Sequence, residues 1–86
     1  VDLMIVIGGF NSSNTKKLVH VCTEKGVEAH HIESFHQLNQ EWFIGKQHVG
    51  ITAGTSTPED IINQVHSEIL KIAKRVEGLE KEVLHS

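Results

Sequence analysis

The segment Leu3–Ile7, "LMIVI", is apolar without alternation and stops at Gly8-Gly9. That feature narrows the fold more than any other. A strand with one face in water alternates polar and apolar residues, whereas a strand covered on both faces does not. Leu3–Ile7 is therefore predicted as a buried strand that Gly8-Gly9 ends. Asn11, Ser12, Ser13 and Asn14 then offer helix caps, and residues 15–25 follow as a helix with Leu18, Val21 and Cys22 on one side. Gly26 closes it as a left-handed C-terminal glycine.

The pattern repeats. Glu28–Ile32 is a second strand, Ser34 caps a short helical turn through Leu38, and Trp42 and Phe43 anchor the loop beyond it. Residues 48–52 form a third strand that runs into "AGTSTPED". There Thr57 stands as N-cap, Pro58 at the first helical position and Asp60 at the third, ahead of a long helix. The order β-α-β-(α)-β-α predicts an α/β fold, a small three- to four-stranded parallel sheet flanked by helices. "IGGFNSSNT" and "ITAGTSTPE" both pass from Ile through Gly to a Ser/Thr-rich helix start. In a parallel sheet both turns lie at the carboxyl edge, where open α/β sheets bind ligands.

Ile62, Val65, Ile69, Ile72, Val76, Leu79 and Val83 are spaced 3, 4, 3, 4, 3, 4 along the last helix. Over residues 62–76 this seam describes a helix lying on the sheet. Residues 77–86 form a charged helical tail or linker that frays or packs on another domain or chain. Gly78 there costs a helix about 1 kcal/mol.

With 86 residues the chain is one small domain, burying roughly 60–65% of its unfolded surface. A net charge of −3 argues against a nucleic-acid surface. No apolar run approaches the roughly 20 residues of a membrane span, and no secretion signal is evident. Cys22 is the single cysteine, which excludes an internal disulfide and a multi-cysteine metal site within the chain and fits a reducing compartment. A start at Val1, almost directly in a strand, is the expectation for a piece of something longer.

A helix N-terminus presents unpaired N–H groups and about half a positive charge, and glycine before it lets an anion approach the backbone. Serine hydroxyls and an asparagine amide add donors. Two such turns side by side could hold a diphosphate. They could equally be caps and nothing more. The sequence lacks the Gly-Lys-Ser/Thr of a P-loop, and Lys16 and Lys17 fall inside the helix.

"GGFNSSNT" followed by "VGITAGTSTPED", with "HIES" and Glu41-Trp42 between, resembles the C-terminal region of the 4-hydroxy-3-methylbut-2-enyl diphosphate reductase (IspH, LytB) family over residues 2–73. The resemblance implies residues 1–76 as one of three similar α/β domains around a 4Fe–4S cluster. The implied enzyme is an oxygen-sensitive oxidoreductase of the methylerythritol phosphate route. It removes the allylic hydroxyl of its substrate, giving isopentenyl and dimethylallyl diphosphates. The resemblance assigns the substrate diphosphate to Ser12, Ser13, Asn14 and Ser56, implies a ferredoxin- or flavodoxin-type electron donor, and suggests the cytoplasm or a plastid-type organelle.

The family's cluster cysteines, glutamate proton donor and substrate histidines do not map here, so the chain alone lacks cluster ligands and proton donor. Thr55 stands where alanine is more usual, and Phe10 where relatives vary. Some relatives continue into an RNA-binding extension. The alternatives are a stand-alone phosphate-binding module, or a regulatory domain that pairs through its heptad helix.

Other residues suit ordinary roles. Cys22 is expected in the core. His30 and His31 point to opposite faces of a strand and cannot chelate together with His36 and Glu33. His48 and His66 are surface or boundary residues, and Trp42 and Phe43 are core anchors or contacts with a missing domain, not a ligand platform. Glu59 and Asp60 answer the helix dipole and are not a catalytic pair.

Overall fold

The computed structural model describes the backbone of residues 1–77 and 82–85 and the side chains of residues 1–75. Four strands form one parallel sheet: β1 (Leu3–Ile7), β2 (Glu28–Ile32), β3 (His48–Ala53) and β4 (Glu82–His85). Their order is β2-β1-β3-β4. Ile7 registers with Ile32 on one side and Ala53 on the other. Helix α1 (Ser13–Glu24) joins β1 to β2, two 3₁₀ turns (Phe35–Gln37 and Gln40–Phe43) lie between β2 and β3, and α2 (Glu59–Glu77) follows β3.

The chain leaves β1 toward β2, then crosses back over β1 to reach β3. Right-handed crossovers in opposite directions put α1 on one face and the later elements on the other. The packing agrees: α1 rests on β1 and β2, while α2 packs against both 3₁₀ turns. Leu3, Ile5, Ile7, Ile32, Val49 and Ile51 form the core with Phe43 and with Val65, Ile69 and Ile72 of α2. Strand β1 is as covered as its sequence predicts, with Leu3, Ile5, Val6 and Ile7 all fully buried. The α1 face is thinner. Thr15 is the one fully buried residue of α1.

Several expectations are corrected. Helix α1 starts at Ser13, because Ser12 takes the cap and its Oγ accepts the Thr15 N–H at 3.3 Å. Val21 is exposed and Cys22 only half-buried, so neither is a core residue. Helix α2 starts at Glu59; the Pro58 carbonyl accepts the first helical bond, from Ile62 N–H. The seam holds through Val65, Ile69 and Ile72, with Ile62 half-buried. It does not continue as helix through Val83, since Glu82–His85 is a strand pairing with β3. Leu79 and the side chain of Val76 lie outside the described residues. Among the described residues, no helix is long and apolar enough to cross a membrane.

At the amino edge of the sheet, Asp2 Oδ2 accepts the N–H groups of Gln47 (3.0 Å) and His48 (3.2 Å), closing the start of β3 onto β1. These two N–H groups hold the Asp2 carboxyl below its ordinary pKa. Glu28 is likewise lowered, first by its bond to His30 and then by Lys46. His30 also stacks on Trp42 with ring centroids 3.9 Å apart.

Two outcomes follow. Phe43→Ala empties the centre of the core and should cost about 3–5 kcal/mol in a denaturant titration. A lowered folded pKa gives stability that is full above the unfolded value and is lost as pH falls through the folded one. Stability should therefore fall as pH drops below about 4, and Asp2→Ala should flatten that fall. An unchanged pH profile for Asp2→Ala would remove this carboxylate from the account.

Candidate functional site: two turns at the carboxyl edge

Strand β1 is central, and the chain leaves β1 and β3 in opposite directions across the sheet. A crevice forms outside the carboxyl ends of two such strands. The two Ser/Thr-rich turns meet there. In the first, Gly8 N–H donates to Ile32 O (3.0 Å), His31 Nε2 lies 2.8 Å from Gly8 O, and Phe10 N–H donates to Glu33 Oε2 (3.0 Å). The Phe10 ring meets the His31 ring edge-on at 4.7 Å. This side of the turn is thus tied to the end of β2.

The second turn ties the other side. Gly54 N–H donates to Ile7 O at 2.9 Å, and the Thr57 hydroxyl donates to the same oxygen at 3.1 Å. Thr57 was expected as a side-chain cap of α2; its hydroxyl instead fastens the turn to β1. Across the gap, Thr55 N–H donates to Asn14 Oδ1 at 3.2 Å. That bond fixes the Asn14 amide with its oxygen occupied and its NH₂ left as a donor. Between the turns stands Thr15, 1% exposed. A Cβ built on Gly54 would come within 2.5 Å of Thr15 Oγ1, and one on Gly8 would overlap the same atom. Glycine at both positions is a condition of this packing.

A cleft of about 230 Å³ opens at this edge, lined by Gly8 and Gly9, by Ser56, Thr57 and Pro58, and by Glu33 and Ile61. Of the four residues assigned to the diphosphate by resemblance, Ser56 lines this cleft. Ser12, Ser13 and Asn14 sit at the start of α1, joined to the Ser56 turn through Asn14 and Thr55. Ser13, Asn14 and Ser56 are exposed, and Ser12 is half-buried as the cap. The two helix ends differ electrostatically. The first turn of α1 contains no acid, while α2 opens with Glu59 and Asp60. The positive end of α1 is therefore the stronger anion attractor.

Residue-by-residue reading of the sequence placed Thr15 and Thr57 within the two edge turns but missed what their side chains do there, and it missed Glu33 as part of the edge. Their roles depend on which strands become neighbours, and no local pattern carries that information. Among the described residues, no three His, Cys, Asp or Glu side chains are grouped to hold a metal ion. His30 and His31 do face apart, one onto Trp42 and the other onto Gly8 and Phe10. A larger groove of about 330 Å³ lies between Phe35 and the outer face of α2, away from both helix starts.

Comparison with known proteins adds the family. The chain is 55% identical over 74 residues to 4-hydroxy-3-methylbut-2-enyl diphosphate reductase of Geotalea uraniireducens, covering 86% of this chain and 26% of that protein. It is 49% identical over 74 residues to the Aquifex aeolicus protein of the same name, with the same coverage. A solved structure of (E)-4-hydroxy-3-methyl-but-2-enyl diphosphate reductase superposes with a TM-score of 0.79 at 49% identity, over 83% of this chain and 25% of that one. The Plasmodium falciparum reductase structure superposes with a TM-score of 0.75 at 26% identity, over 99% and 26%. The chain thus spans about a quarter of the length of the relatives it matches. Residues 1–70, which include both turns, match the family described as LytB protein, and the chain belongs to that family.

Proposed function

We propose that this chain is the part of a 4-hydroxy-3-methylbut-2-enyl diphosphate reductase that grips the substrate diphosphate. The observation that carries the proposal is the bond from Thr55 N–H to Asn14 Oδ1, which joins two helix-starting turns over the ends of adjacent strands. Residues 1–76 carry the site, and β4 extends its sheet. In this reading Ser13, Asn14 and Ser56 donate to phosphate oxygens through hydroxyl and amide groups. Ser12 uses its oxygen as the cap acceptor and keeps its O–H to donate. The Ser13 and Asn14 N–H groups, at the start of α1, have no intrahelical acceptor and add to the set, while the Thr15 N–H is taken by the Ser12 cap.

The reductases of this family use a 4Fe–4S cluster. Such clusters are held chiefly by cysteine thiolates, and Cys22 is the only cysteine present, half-buried on α1. The residues of this chain do not fit a cluster site, so in this proposal the ligands, the proton donor and the contact with a ferredoxin- or flavodoxin-type electron donor lie in the remaining domains. The work of this chain is binding and orientation. Holding the diphosphate fixes where the allylic carbon lies relative to the rest of the site, and that positioning is a recognised source of rate enhancement. The expected setting is the cytoplasm or a plastid-type organelle.

Hydrogen bonds to a charged group contribute about 1.5–3 kcal/mol each. In the full-length protein carrying this chain, Ser13→Ala with Asn14→Ala should therefore raise the apparent KM for the diphosphate substrate at least tenfold while iron content stays unchanged. Steady-state kinetics alongside iron analysis would decide it. Unchanged KM at full iron loading would sink the diphosphate assignment.

A further inference from the structure

We propose that Thr15 is a positioning residue: its Oγ1 is the spacer that sets the separation of the two turns, and with it the preference of the site for a two-phosphate anion over a single phosphate. This rests on the anion-site reading above and goes beyond it, since Thr15 is none of the four residues assigned to the diphosphate.

Three observations converge on that atom. Thr15 is the one fully buried residue of α1. Its Oγ1 has no hydrogen-bond partner among the described residues, which is unusual for a buried hydroxyl. The same oxygen lies too close to both backbones for a Cβ on either Gly8 or Gly54. Each glycine is itself pinned to a neighbouring strand, Gly8 N–H to Ile32 O and Gly54 N–H to Ile7 O. The oxygen is therefore a wedge between two fixed backbones. Its size is the reason for a hydroxyl in a slot that offers it no partner. An oxygen is smaller than a methyl and accepts close Cα–H contacts from glycine. Alanine would leave the gap empty, and valine would put a methyl where the oxygen is.

The geometry links the wedge to specificity. Asn14 precedes Thr15 on the same turn of α1 and bonds Thr55 across the gap at 3.2 Å. A change in separation moves Ser13 and Asn14 relative to Ser56 without altering any of the three. A single phosphate bound at the start of α1 would not sense that change. An anion bridging to Ser56 would.

The test uses the full-length protein with Thr15→Ser, Thr15→Ala and Thr15→Val. Calorimetric titration with inorganic pyrophosphate and with inorganic phosphate gives an affinity ratio, and hydrogen exchange of the segment holding Thr55 N–H reports the gap without any ligand. Thr15→Ser keeps the oxygen and should preserve the ratio within twofold. Thr15→Ala and Thr15→Val should weaken pyrophosphate at least tenfold, change phosphate less than threefold, and speed exchange at Thr55. If valine prevents folding, the alanine and serine variants carry the comparison. Unchanged ratio and exchange in Thr15→Ala would overturn the proposal, as would a Thr15→Ser loss equal to that of alanine, which would make the methyl the spacer. Native protein that binds neither anion would overturn the anion site and its specificity together. Exchange at Thr55 would still show whether the oxygen holds the gap.

Discussion

The carbonyl of Ile7, the last residue of β1, receives both the Gly54 N–H and the Thr57 hydroxyl. This oxygen is the point at which the end of the central strand holds the turn that follows its neighbour. Everything at the carboxyl edge depends on β1 lying between β2 and β3. With β1 at the sheet's edge, the first turn would have one strand end to lean on. In the observed order it has two: Gly8 and Phe10 N–H donate to Ile32 O and Glu33 Oε2 on one side, and Asn14 Oδ1 and Ile7 O accept from Thr55 and Thr57 on the other. A rigid pair of turns is what a small anion site needs, because donors held in place do not lose freedom when the ligand binds.

The two faces of the sheet divide the labour. The face under α2 holds nearly all the buried apolar side chains, with Phe43 and Ile69 among them, and supplies the driving force for folding. The face under α1 is thinner, and its fully buried helical residue is a threonine with an unpaired hydroxyl. That arrangement sacrifices some stability for closeness between α1 and the strand ends. Closeness matters, since the effect of a helix terminus falls off within its first turn. The acidic opening of α2 points the same way, leaving α1 as the attracting end and the Ser56 turn as a source of hydroxyl and backbone donors.

Much of this was legible in the residues. The unbroken apolar run of β1, the glycine at position 26 and the Ser/Thr-rich turns each follow from local rules, and the elements they predict are present, Gly26 with a φ of +78° included. The two-turn edge was legible because parallel strands must present their carboxyl ends together. What stayed hidden was relational. The burial of Thr15, the diversion of the Thr57 hydroxyl from capping to Ile7, and the Glu33 bond to Phe10 all join residues that share no periodicity. The helical reading of Glu82–His85 differs for another reason: a heptad spacing in sequence does not by itself carry a helix, and this segment pairs with β3 as a strand.

The central claim is that one anion spans the two turns. The most direct measurement is a crystal structure of the full-length protein with its diphosphate substrate bound. The account predicts phosphate oxygens within about 3 Å of the Ser13 hydroxyl, the Asn14 amide and the Ser56 hydroxyl, with the Asn14 to Thr55 bond retained. A diphosphate seated elsewhere, with both turns left as helix caps, would contradict it.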